Sequence, residues 1–144
     1  MMTFIWIQAE NAKIEDAFAL RKTVFVDEQG FSPDTDRDEI DKTAWHIVGY
    51  DADGAPQCTA RLFKEAEAVY HAGRIVVNRN LRGQGVGKKM LAEIAAKAQC
   101  CGAKTLRLGA QYDKAGFYEA CGFTQYGDTY LDENYPHIHM QKNL

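Results

Sequence analysis

Hydrophobic and polar residues alternate from Thr3 to Gln8, the two-residue period of a half-buried strand. Asn11 then offers an N-cap, and Ile14, Ala17, Phe18 and Phe25 recur at helical spacing, which predicts a helix. The acidic, Pro-containing stretch from Phe31 to Lys42, with Asp34, Asp36, Asp38, Glu39 and Asp41, reads as a loop with a short helical turn. Ala44 to Tyr50, Gln57 to Lys64 and Ala68 to His71 read as antiparallel strands in a small meander. Asp51, Asp53 and Gly54 form one of its turns, and Glu65 to Glu67 the other.

Gly73 to Asn78, with the run Ile75-Val76-Val77, predicts a further, central strand that leads into the glycine-rich turn Arg82-Gly83-Gln84-Gly85-Val86-Gly87. A helix follows. Val86, Met90, Ile94, Ala98 and Cys101 share one of its faces, and Gly102 is placed to stop it. Thr105 to Gly109 is then a short strand, parallel to Gly73–Asn78 if the crossover has the usual hand. A second short helix spans Lys114 to Cys121, and two strands around Thr129 and Ile138 complete the chain.

A length of 144 residues suits one domain, with 1–144 as its bounds. No apolar run is long enough to span a bilayer, and Met1 to Glu10 lacks the pattern of a secretion signal, so a cytoplasmic location is the default expectation. The four cysteines, Cys58, Cys100, Cys101 and Cys121, form no CxxC pair and read as small buried residues. A net charge of −3 argues against nonspecific partnership with nucleic acid or anionic membrane. Any anion must be gripped locally.

Glycines between a strand and a helix present free backbone N–H groups at the positive end of the helix dipole, an arrangement that binds phosphate. A Walker A loop would need Gly at Arg82 and Ser or Thr at Lys89, and a dinucleotide fingerprint from Gly83 would need Gly at Lys88. Neither fits. Arg82-Gly83-Gln84-Gly85-Val86-Gly87 instead resembles the Arg/Gln-x-x-Gly-x-Gly/Ala signature of the GCN5-related N-acetyltransferase (GNAT) superfamily. Phe117-Tyr118 with Gly122-Phe123 resembles that family's Phe-Tyr-x-x-x-Gly-Phe element. With Val24 to Gln29, Ala44-Trp45-His46, Ala110-Gln111 and His139-Met140, the likeness covers nearly the whole chain and points to the ElaA-like branch. Arg79, where the family often has Pro, and Gln111, where it often has Asn, depart from the pattern.

The resemblance implies an α/β (α+β) fold: a mixed, mostly antiparallel sheet flanked by helices, with Gly73–Asn78 and Thr105–Gly109 as a splayed parallel pair. It implies acetyl-CoA as cosubstrate in that gap, held by Ile75, Val76 and Val77, by Arg82, Gly83, Gln84, Gly85, Val86, Gly87 and Lys88 or Lys89, and by Gln111, Phe117 and Tyr118. Acyl transfer to an amine requires a donor at the thioester oxygen, here Val77 N–H, and an acid for the thiolate, here Tyr118. Glu28 and His46 are both candidates for the general base.

Asp34-x-Asp36-x-Asp38 opens like a calcium loop but has Glu39 and Trp45 where Gly and Glu are required. It reads equally as a rim attracting a cationic amine or as a plain solvated loop, with Asp38 a further acceptor-site candidate. His137 and His139 alternate on the last strand without a third ligand, so no metal is expected. The activity expected is N-acetyl transfer in a ternary complex to a primary amine, on a small molecule or on a protein lysine or N-terminus. A non-catalytic acyl-CoA sensor is the alternative, and a nucleotide-binding domain a third reading. Monomer and homodimer both stay open.

Overall fold

A computed structural model describes residues 1–144. Strand β1 (Thr3–Ile7) leads to helix α1 (Ile14–Arg21), which widens without a break into a π-helical segment, Lys22–Glu28. Asn11 Oδ1 accepts from Lys13 N–H at 2.9 Å in the turn before α1, but the N-cap position itself is Lys13, with no side-chain cap. A single turn, α2 (Pro33–Asp36), and a 3₁₀ turn (Glu39–Lys42) cross the acidic stretch. Then come β2 (Trp45–Tyr50), β3 (Pro56–Ala66), β4 (Val69–Val77), α3 (Val86–Cys100), β5 (Thr105–Gln111), α4 (Ala115–Ala120), β6 (Thr124–Asp132) and β7 (Tyr135–Asn143).

The strands form one seven-stranded sheet in the order β1-β2-β3-β4-β5-β7-β6. Every pairing is antiparallel except β4 with β5, which the crossover through α3 makes parallel. Helix α3 and α4 cover one face, and Met90, Ile94, Leu106, Leu108, Ile138 and Met140 lie fully buried there, each contributing about 1.5–3 kcal/mol. Helix α1 covers the other face over β2, β3 and part of β4, and Ile14 and Ala17 meet Val48 and Tyr50 there. The rest of that second face, over β5, β7 and β6, carries no helix. Phe63, His71, Tyr126, Tyr130, His137 and His139 stand along it in stacked pairs.

Two expectations change. Ala68–His71 and Gly73–Asn78 are one strand, β4, bent by an extra residue around Arg74, whose φ of 49° is left-handed. That conformation costs a non-glycine residue about 1–2 kcal/mol. Arg74 compensates by donating to the carbonyls of Asp36 at 3.1 Å and Thr35 at 3.3 Å. The acidic stretch, in turn, is solvated only in part: Asp34 and Glu39 face solvent, while the other three carboxylates meet arginines. Asp36 and Asp41 bind Arg21, Asp38 and Asp41 bind Arg61, and Arg74 reaches Asp36 and Asp38. Arg21, Asp41 and Arg61 are all buried. Burial pushes the Asp41 carboxyl up, but Arg21, with Asp38 N–H and Arg61, outweighs it and holds the group well below the usual carboxylate range.

Candidate active site

The parallel ladder joins only Val69–Ala72 to Thr105–Leu108. Beyond those residues β4 runs on to Val77, still paired to β3, and β5 runs on to Gln111, still paired to β7. A V-shaped gap therefore opens between them. The sequence reading placed the paired half at Gly73–Asn78; that half is instead the diverging arm, because the bulge at Arg74 turns it away from β5. Asn78 N–H donates to Gln57 O at 2.8 Å, so by strand alternation the backbone groups of Ile75 and Val77 face the gap, while Val76 faces β3. Apart from the Val77 carbonyl, which accepts from Arg82 Nε, these strand-edge groups suit an amide-bearing chain laid in as an extra strand.

The arm ends in the glycine-rich turn. Gly83 and Gly85 have φ of 79° and 80°, left-handed values that only glycine adopts without strain. Gly85 is the N-cap of α3, and the first helical bond is Lys89 N–H to Gly85 O. The N–H groups of Gly83, Gln84, Gly85, Val86, Gly87 and Lys88 donate to nothing else in the chain. They form a cluster of free donors at a helix start, which fits a diphosphate. At Gly87 an added Cβ would stand 3.1 Å from Phe117 Cζ and 3.6 Å from Val77 Cγ2, so its lack of a side chain lets α3, α4 and the end of β4 close on one point.

Tyr118 projects from α4 into the packing between Phe117 and Phe123. Its ring is buried, yet its hydroxyl bonds to no group of the chain and is not sealed from solvent. Burial pushes its ionisation upward, so the phenol stays protonated and can donate.

Arg82 does not point to the turn's free donors. Its guanidinium makes two bonds to Glu28, at 2.5 and 2.9 Å, and its Nε donates to Val77 O at 3.1 Å. The next residue, Gln29, pairs amide to amide with Gln111, whose Nε2 donates to Gln29 Oε1 at 2.8 Å. The end of the π-helical segment thus touches both arms of the V. Beside it, an open cavity of about 530 Å³ is lined by Gln29, Phe31, Ser32, Glu133, Asn134 and Tyr135. Glu133 and Asn134, both at positive φ, make the tight β6–β7 turn that forms its far wall.

Neither candidate base is poised for the task. The hydrogen bond from Arg82 holds the Glu28 carboxyl below its ordinary range, which makes it a poor proton acceptor. His46 is 1% exposed, with Nε2 3.0 Å from Asp41 O and its ring edge-on to Phe18. Burial depresses its ionisation, and it serves as a structural histidine. Asp38, bound to Arg61 and Arg74, is likewise committed. What sequence reading missed is the partners: Arg21, Arg61 and Arg74 lie far along the chain from the aspartates they neutralise, and no spacing rule links them.

A splayed parallel pair ending in a turn of free amides, with a buried tyrosine beside it, defines an acyltransferase architecture. The family model described as an acetyltransferase (GNAT) domain matches residues 11–144, and the chain belongs to that family. Among its relatives are a UPF0039 protein of Schizosaccharomyces pombe, 32% identical over 92% of this chain and 89% of its own, and the uncharacterized N-acetyltransferase YjcF of Bacillus subtilis, 30% identical over 95% and 97%. The crystal structure of Escherichia coli ElaA superposes with a TM-score of 0.88 at 28% identity, covering 99% of this chain and 100% of ElaA. The resemblance read from the motifs is thus borne out for family, branch and fold.

Proposed function

We propose that this protein transfers an acetyl group from acetyl-CoA to a primary amine by direct attack in a ternary complex. The observation that carries the reading is the run of unpartnered N–H groups from Gly83 to Lys88 at the foot of an open strand edge. Backbone donors at Ile75, Val77 and the turn would hold the pantetheine and diphosphate, with Lys88 or Lys89 adding charge. Phe117, 42% exposed above Gly87, would pack along the carrier's arm. Tyr118 would protonate the departing thiolate; its free, protonated hydroxyl supports that role.

Arg82 has a different part in this reading from the one its position in the motif suggested. It ties the turn to the π-helical segment through Glu28 and so shapes the gap, rather than meeting phosphate. The acceptor would approach from the uncovered face, past the cavity lined by Phe31 and Tyr135. Calorimetric titration with coenzyme A, followed by thiol release from acetyl-CoA across a panel of primary amines, tests the reading. Saturable binding with amine-dependent thiol release supports it, binding without release leaves the sensor alternative, and absence of binding refutes both.

A further inference from the structure

The four histidines differ sharply in what they touch. His46 and His137 each give a ring nitrogen to a backbone carbonyl, that of Asp41 and of Tyr135, and both are buried. His139 stacks on Tyr130, with Tyr126 tilted against its ring. Only His71 has a carboxylate on one ring nitrogen, with Glu65 Oε1 3.2 Å from its Nδ1.

The geometry around His71 is built rather than incidental. Glu65 is the extra residue of a bulge in β3, since Lys64 pairs with Tyr70 and Ala66 with Val69; the bulge aims its carboxylate at His71 across the strands. Arg107 of β5 reaches the second oxygen of Glu65 at 3.5 Å, and Phe63 stacks on the imidazole at 5.1 Å. A carboxylate can only accept, so Nδ1 carries the proton and Nε2 keeps its lone pair. Nε2 bonds to nothing in the chain, and the side chain keeps 25% of its surface exposed.

That free edge faces the apex of the V. His71 stands on β4 one residue before Ala72, the last residue paired to β5, and its Cδ2 lies 3.8 Å from where a Cβ on Gly73 would stand. Arg61 Nε lies 3.9 Å from the same point and is a buried donor with no partner. Gly73, lacking a side chain, therefore leaves the His71 ring edge beside one point at the apex of the V, with the unpartnered Arg61 Nε buried close behind it.

We propose that His71, oriented by Glu65, accepts the proton of the attacking amine. The inference rests on the acyltransfer reading above. In the step, the amine nitrogen bonds to the thioester carbonyl carbon and the carbon–sulfur bond breaks. The amine proton passes to His71 Nε2 and then to water; the thiolate takes the Tyr118 proton, which solvent restores. Glu65 is a positioning residue.

Three measurements decide it. In nitrogen–proton correlation spectra, His71 shows the Nδ1–H tautomer at neutral pH, and its resonances move when acetyl-CoA is added. An Nε2–H tautomer, or resonances indifferent to acetyl-CoA, overturns the assignment whether or not any amine turns over. With butylamine, spermidine and a lysine peptide as probes, His71→Gln lowers kcat about 10²-fold at pH 7 while the Kd for coenzyme A holds. The variant also loses the rising limb of the pH–rate profile. An unchanged rate and limb sinks the proposal even if coenzyme A binds as expected, whereas failed binding by the wild type sinks the acyltransfer reading instead. Glu65→Gln removes the anion that favours imidazolium, so the limb moves to lower pH, against a background of Arg61 on β3, Arg107 on β5, Tyr126 on β6 and His139 on β7; a limb that stays put overturns the role of Glu65.

Discussion

Replacing Gly85 with Asp separates stability from ligand binding at one position. Gly85 has φ of 80° at the N-cap of α3, and an added Cβ meets no atom within 4 Å. The left-handed backbone costs a side-chain-bearing residue about 1–2 kcal/mol, and Asp is among the residues that tolerate it best. Asp is also a favoured N-cap, which returns up to about 1 kcal/mol where its oxygen reaches the first-turn amides. The net change is then about 1 kcal/mol or less, a melting shift of roughly 2–4 °C for a domain of this size. A diphosphate on the same amides would instead meet a carboxylate at about 5 Å, and at an effective dielectric constant of about 20 each charge pair opposes binding by about 3 kcal/mol. That is a loss of at least about 10²-fold in affinity. Thermal melts and calorimetry with coenzyme A read both quantities, and Gly85→Asn supplies the neutral control. A Kd for the Asp variant within threefold of wild type would refute the placement of the phosphate. Equal loss in Asp and Asn variants would show backbone strain, not charge, to be responsible.

Tyr118→Phe removes a hydroxyl with no partner in the chain, so it leaves the melting temperature and coenzyme A affinity unchanged while turnover falls on the order of 10²-fold; steady-state kinetics beside calorimetry check this. Glu28→Gln weakens a part-exposed ion pair worth at most about 1 kcal/mol, and turnover stays within about threefold if Glu28 serves only to hold Arg82; a hundredfold loss would support it as the base. Asp41→Asn leaves Arg21 and Arg61 short of charge in the interior and lowers stability by roughly 3–5 kcal/mol, seen in urea unfolding. Because the folded-state ionisation of Asp41 lies below its unfolded value of about 3.9, its contribution is complete above that pH and is lost as pH falls through the folded value. His46, also depressed by burial, adds a loss that begins below about pH 6.5, so stability declines in two stages on acidification; the Asn variant lacks the second.

The elements that sequence period and glycine placement could mark were legible: β2, β3, α3 and the turn at Gly83–Gly87 stand where the pattern put them. The division of β4 misled because Ala72-Gly73-Arg74 has the composition of a turn, while the chain uses it as a bulge inside a strand. The acidic stretch misled for a different reason. Five carboxylates in a dozen residues look solvated until Arg21, Arg61 and Arg74 are brought over three of them, Asp36, Asp38 and Asp41, by the packing of α1 on the sheet. The cofactor side of the site was readable because backbone geometry makes it, and glycine reports geometry. Its other side was not, since Glu65 and His71 meet only through a bulge that leaves no mark in the residue pattern.

The outer margins of the sheet bear on self-association. Strand β1 has only five residues, and along β6 the ladder breaks between Tyr126 and Tyr130 around Gly127 at positive φ, with Asp128 and Asp132 close by. A second copy seeking to extend the sheet at β6 would meet a kinked, acidic rim, which guards that margin against fibrous growth. Knitting of two molecules backbone to backbone is therefore disfavoured at the β6 rim.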